Sequence, residues 1–127
     1  MKWYFLALKN YFNFSGRARR KEYWMFTLIN IIIFMFFMIS IVGLREKGES
    51  SPVSTAGLTL IVFYYLFTII PSLSLCVRRF HDQDRSGWFV LLLLIPSLGP
   101  LIVFVFMCIE GTKGKNRFGS DPKLSNF

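Results

Sequence analysis

Arg78-Arg79-Phe80-His81-Asp82-Gln83-Asp84-Arg85-Ser86-Gly87-Trp88 is the one dense cluster of ionisable groups between two long apolar runs. Residues 56–77 before it and 88–109 after it each run 22 residues without a charge, and so does 23–44. As a helix, such a run reaches ~33 Å, enough to cross a hydrocarbon core of ~30 Å. The chain is 54% hydrophobic with a mean hydropathy of +0.48, above the ~45–50% apolar content of soluble domains. The expectation is an all-α integral membrane protein, a single membrane domain over 1–127.

The three runs are not equivalent. Segments 23–44 and 56–77 read as full transmembrane helices. Pro71 in the second removes a backbone donor, and Ser72 and Ser74 stand ready to satisfy the freed carbonyls. Segment 88–109 carries Ile95-Pro96-Ser97-Leu98-Gly99-Pro100 at its centre, and each interior proline costs a helix ~3 kcal/mol. This third segment is either kinked or re-entrant. Half of it, ~16 Å, does not span alone.

Charge bears on that choice and on orientation. Lys and Arg number six before the first run, two in the loop 45–55, three in 78–87 and four after residue 109. A straight third span divides them nine to six, a re-entrant one thirteen to two. The positive-inside rule favours the second, with the N-terminus, the 78–87 loop and the tail 110–127 cytoplasmic. Against it, a re-entrant backbone needs protein cover for its polar groups, which an oligomer would supply.

Residues 1–13 place Tyr4, Phe5, Leu8, Tyr11 and Phe12 on one helical face, with Lys2 and Lys9 interspersed, as in an interfacial helix. Ser15-Gly16 breaks that helix, and Ser15 is placed to cap the next. Arg17, Arg19, Arg20 and Lys21 then precede the aromatic pair Tyr23-Trp24 at the membrane surface. Residues 45–55 read as a solvated connector. Cys76 and Cys108 lie in apolar runs without metal-binding spacing and read as two buried free thiols.

The net charge of +8 would suggest nucleic acid in a soluble chain. Here the basic residues flank membrane segments and no recognition motif accompanies them, so anionic lipid headgroups are the expected partner and nucleic acid is not. Gly114-Lys115 is followed by Asn116 and preceded by no strand, which rules out a phosphate loop for nucleotides.

Three blocks carry a family resemblance. They are Phe14-x-Gly16-Arg17-x-x-Arg20-x-Glu22-Tyr23-Trp24; Pro71 with Arg78-Arg79-Phe80-His81-Asp82 and Ser86-Gly87-Trp88; and Gly111-x-x-Gly114-x-Asn116-Arg117-Phe118-Gly119-x-Asp121-Pro122. Together they resemble the small bacterial inner-membrane proteins catalogued as domain of unknown function 805. Phe80 and Phe118 stand where that family often has Leu and Tyr, and Gln83-Asp84-Arg85 varies its turn. The resemblance covers nearly the whole chain. It implies a bacterial inner-membrane location and no activity.

The polar cluster has a structural reading that is complete in itself. Arg78 and Arg79 follow a helix, where the dipole favours cations by ~0.3–1 kcal/mol each. Asp82 and Asp84 have Arg79, Arg85 and the 17–21 block as partners. The sharper reading is an anionic headgroup site made of Arg17, Arg20, Arg78 and Arg79, whose planar forks suit phosphate. His81, Asp82, Asp84 and Arg85 complete the cluster. No metal site is expected, since the chain has one His and the nearby arginines repel a cation. A base at His81 oriented by Asp82 or Asp84 lacks a placed nucleophile, Ser86 being the one loop candidate. Catalysis and cofactors are therefore not expected. The expectation is a non-catalytic module binding lipid headgroups, or a protein partner or second copy, through a basic cytoplasmic face. The alternative is an enzyme or transporter subunit acting on a phosphate-bearing lipid.

Overall fold

A computed structural model describes residues 2–46 and 52–122. Its helices are α1 (Lys2–Lys9), α2 (Arg20–Glu46), α3 (Pro52–Asp82), a 3-10 helix (Gly87–Leu94) and α4 (Leu98–Cys108). Among the described residues there is no strand, and one isolated bridge joins Asn116 to Gly119.

Among the described residues, α2 and α3 are the two helices long and apolar enough to cross a membrane. They pack antiparallel, and their outer faces expose Ile32, Phe36, Ile39, Phe63 and Leu66. A soluble protein does not leave so continuous an apolar belt in water; acyl chains are its natural solvent. Segments 23–44 and 56–77 lie inside these helices. The connector 45–55 is shorter than its composition suggests. Arg45 and Glu46 still belong to α2, Pro52 takes the first position of α3, and 47–51 lie outside the described residues. Proline is suited there because its fixed φ fits the first turn and that turn has no N–H partner anyway.

Pro71 sits inside α3 without ending it. The carbonyl it frees is that of Phe67, four residues back, and the Tyr11 hydroxyl donates to it at 2.7 Å. Ser72 and Ser74 do not do this work. Ser72 donates to Thr68 O at 2.6 Å, and Ser74 to Pro71 O and Asn10 O. The repair thus comes from the chain just after α1, and it ties α1 to the bundle. Tyr4 stacks on Phe26 with ring centroids 5.2 Å apart, and Ala7 is fully buried. Phe5 and Phe12 of the same face point away. Ser15 does not cap α2. It turns back to Asn13 Oδ1, and α2 begins only at Arg20.

The polar cluster departs from its expected form as a loop over 78–87. α3 runs on through Arg78-Arg79-Phe80-His81-Asp82, because nothing in those residues breaks a helix and Arg79 pairs with Asp82 one turn on. The helix stops in a left-handed cap at Asp84, whose φ is +56°. Arg85 N donates to Phe80 O and Asp84 N to His81 O, the paired bonds of a Schellman motif. The true loop is therefore 83–86, in which the Ser86 hydroxyl accepts from Trp88 N.

The third apolar run turns back on itself. The 3-10 helix leads out, Ser97 takes φ +65°, and α4 returns. Each arm is about 16 Å long, short of a ~30 Å core. A Cβ at Gly99 would overlap the Leu92 carbonyl oxygen, so the arms meet where only glycine fits. Both ends lie at the C-terminal end of α3. Phe89 packs on Phe80 at 5.7 Å, and Arg79 Nη2 donates to Ile109 O at 2.8 Å. Of the two alternatives for 88–109, the hairpin is the one realised. Cover for its backbone comes from its own helical bonds and from Phe80, Cys76 and Trp24. Cys76 is buried, but Cys108, at the last position of α4, is exposed; the hairpin turns that end outward.

Candidate functional site

At the end of the bundle where α2 begins and α3 ends, three arginines and two carboxylates are buried together. Arg78 Nη1 donates to Glu22 Oε1 at 3.0 Å, with both side chains 4% exposed. Asp82 receives Arg79 Nη1 at 2.7 Å on one oxygen and Arg17 Nε at 3.0 Å on the other. Arg17, Arg79 and Asp82 side chains are 1%, 0% and 5% exposed. A third carboxylate, Asp121, is buried beside them and accepts from Gly114 N at 3.0 Å, so guanidiniums and carboxylates balance three to three. Burying ions is costly unless their geometry and further hydrogen bonds are good, and here the further bonds come from backbone carbonyls.

Those carbonyls belong to segments far apart in sequence. Arg17 donates to Thr112 O and to Gly114 O, the latter at 2.6 Å. Arg79 donates to Ala18 O at 3.1 Å and to Met107 O and Ile109 O. Thr112 N in turn donates to Asp82 O at 2.6 Å. A Cβ on Gly111 would overlap the Asp82 carboxylate, so the tail can lie against it only as bare backbone. Arg17 and Asp82 therefore fasten the tail, and Arg79 fastens the end of α4. His81 Nδ1 lies 3.0 Å from Gly16 O, and its ring stacks on Phe118 at 4.0 Å and 5°. Asn116 Nδ2 donates to His81 O at 2.9 Å.

The residues expected to form the site divide into an inner and an outer set. Arg17, Arg78 and Arg79 converge inside. Arg20 does not join them; it lies 43% exposed, 3.7 Å from Glu110. Asp82 takes Arg79 and Arg17. Asp84 pairs with Arg117 at 3.1 Å on the surface, 46% and 60% exposed, where such a pair contributes ~0.2–1 kcal/mol. Arg85 lies over the Phe106 ring at 4.7 Å. His81 has no carboxylate partner among the described residues: Asp82 and Asp84 are both committed to arginines, so neither orients it as a base. Glu22 is the residue the sequence reading passed over. Its signal was a lone carboxylate in a basic block at the head of an apolar run.

The family model described as "Protein of unknown function (DUF805)" matches residues 11–120. The chain is 49% identical over 126 residues to inner membrane protein YhaI of Escherichia coli K12, covering 99% of each. It is 49% identical over 124 residues to inner membrane protein YhaH of the same strain, covering 98% of each. It is 24% identical over 137 residues to uncharacterized protein YiiR, covering 88% of this chain and 87% of that one. No solved structure matches.

Proposed function

This chain belongs to the DUF805 family of membrane proteins, and from that premise we propose that it is a non-catalytic inner-membrane module that gathers anionic lipid headgroups at one basic, cytoplasmic end. The observation that carries this reading is the collection of charge. α1, the start of α2, the end of α3 and the tail all meet at one end, and with them every described Lys and Arg except Arg45. Lys2, Lys9, Lys21, Lys113, Lys115 and Arg117 are exposed there. Juxtamembrane basic residues attract anionic lipid by ~1 kcal/mol each, and such an end is retained on the cytoplasmic side. Within the expected headgroup set, Arg20 stands on this rim. Arg17, Arg78 and Arg79 act from beneath, holding the tail and the hairpin so that the rim keeps its shape.

The test is native mass spectrometry of the detergent-purified protein with added phosphatidylglycerol, cardiolipin or phosphatidylcholine. The anionic lipids should be retained in preference. That preference should weaken in Lys113→Gln/Lys115→Gln/Arg117→Gln and with added salt. Equal retention of phosphatidylcholine, or no change in the triple variant, would overturn the reading.

A further inference from the structure

A second feature lies between the spans, away from the basic end. A groove of about 430 Å³ is walled by Asn30 and Phe34 of α2, Tyr65 and Ile69 of α3, and Leu93 and Val103 of the hairpin. Its size falls within the ~300–1,000 Å³ of small-molecule sites. Asn30 lies ~15 Å along α2 from Arg20, and Tyr65 ~20 Å along α3 from Arg78. Half of a hydrocarbon core is ~15 Å, so both residues stand near the middle of the bilayer, where water does not reach.

Polar groups at that depth need partners inside the protein, and most of those in the groove have one. Thr68 donates to Tyr65 O at 3.1 Å and Ser72 to Thr68 O at 2.6 Å, and Thr27 pairs with Tyr23. Two donors are left over. The Asn30 amide sends one N–H to Phe26 O at 2.7 Å, and its oxygen receives the Tyr64 hydroxyl at 2.7 Å. Its second N–H has no acceptor among the described residues. The Tyr65 hydroxyl has none either, although its ring is held edge-on by Phe34 at 5.6 Å and Tyr64 at 5.7 Å. An unsatisfied donor in hydrocarbon is costly. We propose that this groove binds one uncharged, lipid-soluble molecule of the quinone class, whose carbonyl oxygens accept from Tyr65 and Asn30 and whose apolar tail runs into the lipid. A phospholipid acyl chain would fill the space, but it brings no acceptor to the bilayer centre, since its ester carbonyls stay near the headgroups. A charged ligand does not fit, because no wall residue carries a charge to offset its desolvation. The site is separate from the basic rim and does not depend on headgroup binding there.

The test titrates the full-length protein in phosphatidylcholine nanodiscs with decylubiquinone and, separately, with decylbenzene, which has the same tail and no acceptor. Native mass spectrometry gives stoichiometry and affinity, and the infrared carbonyl stretch reports the hydrogen bonds. One equivalent of decylubiquinone per chain should bind saturably, with its carbonyl stretch moved to lower frequency. Decylbenzene should bind about tenfold more weakly or worse. Tyr65→Phe removes one donor and no bond within the protein, so it should weaken quinone binding about threefold to tenfold and reduce the infrared shift. Its stability without ligand should not fall; a fall would show that the hydroxyl already has a partner and would overturn the proposal. Ile69→Trp, at a wall position 48% exposed to lipid, fills the groove and should abolish binding. Phe63→Trp, outside the groove, should not. No saturable binding of decylubiquinone, equal binding of decylbenzene, or undiminished affinity in either Tyr65→Phe or Ile69→Trp overturns it. A dimer that Ile69→Trp dissociates, with no quinone bound, assigns the groove to a second copy of the chain instead.

Discussion

Asp82→Asn tests whether the buried network holds the two termini together. The substitution preserves volume and removes the charge that Arg17 and Arg79 share at 3.0 and 2.7 Å. It also turns one acceptor into a donor facing a guanidinium. Removing one partner of a buried ion pair costs ~3–5 kcal/mol. Here the arginines are not stranded, because Arg79 keeps three carbonyl acceptors and Arg17 keeps Thr112 and Gly114. The lower end applies, about 3 kcal/mol, or somewhat over a hundredfold in the unfolding equilibrium. Unfolding in mixed micelles followed by circular dichroism measures it. Hydrogen exchange at the Thr112 amide, which donates to Asp82 O, reports whether the tail has come away. Asp84→Asn is the internal control. It loses an exposed pair with Arg117 and keeps a residue that tolerates positive φ, so it should cost under about 1 kcal/mol. A double-mutant cycle with Arg17→Gln should show a coupling of ~0.5–3 kcal/mol. An Asp82→Asn protein within about 1 kcal/mol of wild type, with Thr112 exchange unchanged, would refute the reasoning.

Two further outcomes follow from the hairpin. Gly99→Ala places a methyl group on the Leu92 carbonyl oxygen and should lower stability by ~1–3 kcal/mol in the same assay; an unchanged midpoint means the arms do not meet there. Exposed Ser15 and Ser120, each changed to Cys in a Cys76→Ala/Cys108→Ala background, should react with an impermeant maleimide from one side of the membrane. Arg45→Cys should react from the other. Labelling of positions 15 and 120 from opposite sides would show that 88–109 crosses.

The order of amino acids alone carries what a bilayer demands of a chain. Runs 23–44 and 56–77 are long, uncharged and flanked by aromatic and basic residues, and those local properties suffice to make them spans. It also narrowed the third run to two shapes, because Pro96, Gly99 and Pro100 act on their own backbone. Only the tertiary structure chose between them. A hairpin and a kinked span differ in where residues 109–112 land, and that is set by Arg79 and Asp82 binding their carbonyls and amides. The same holds for the arginines. Read along the chain, Arg78 and Arg79 needed no partner beyond a helix end and the membrane surface. Glu22 meets Arg78 across 56 positions and Arg17 meets Asp82 across 65. Desolvation decides the role of such groups, and burial is a property of the assembled fold, not of any stretch of sequence.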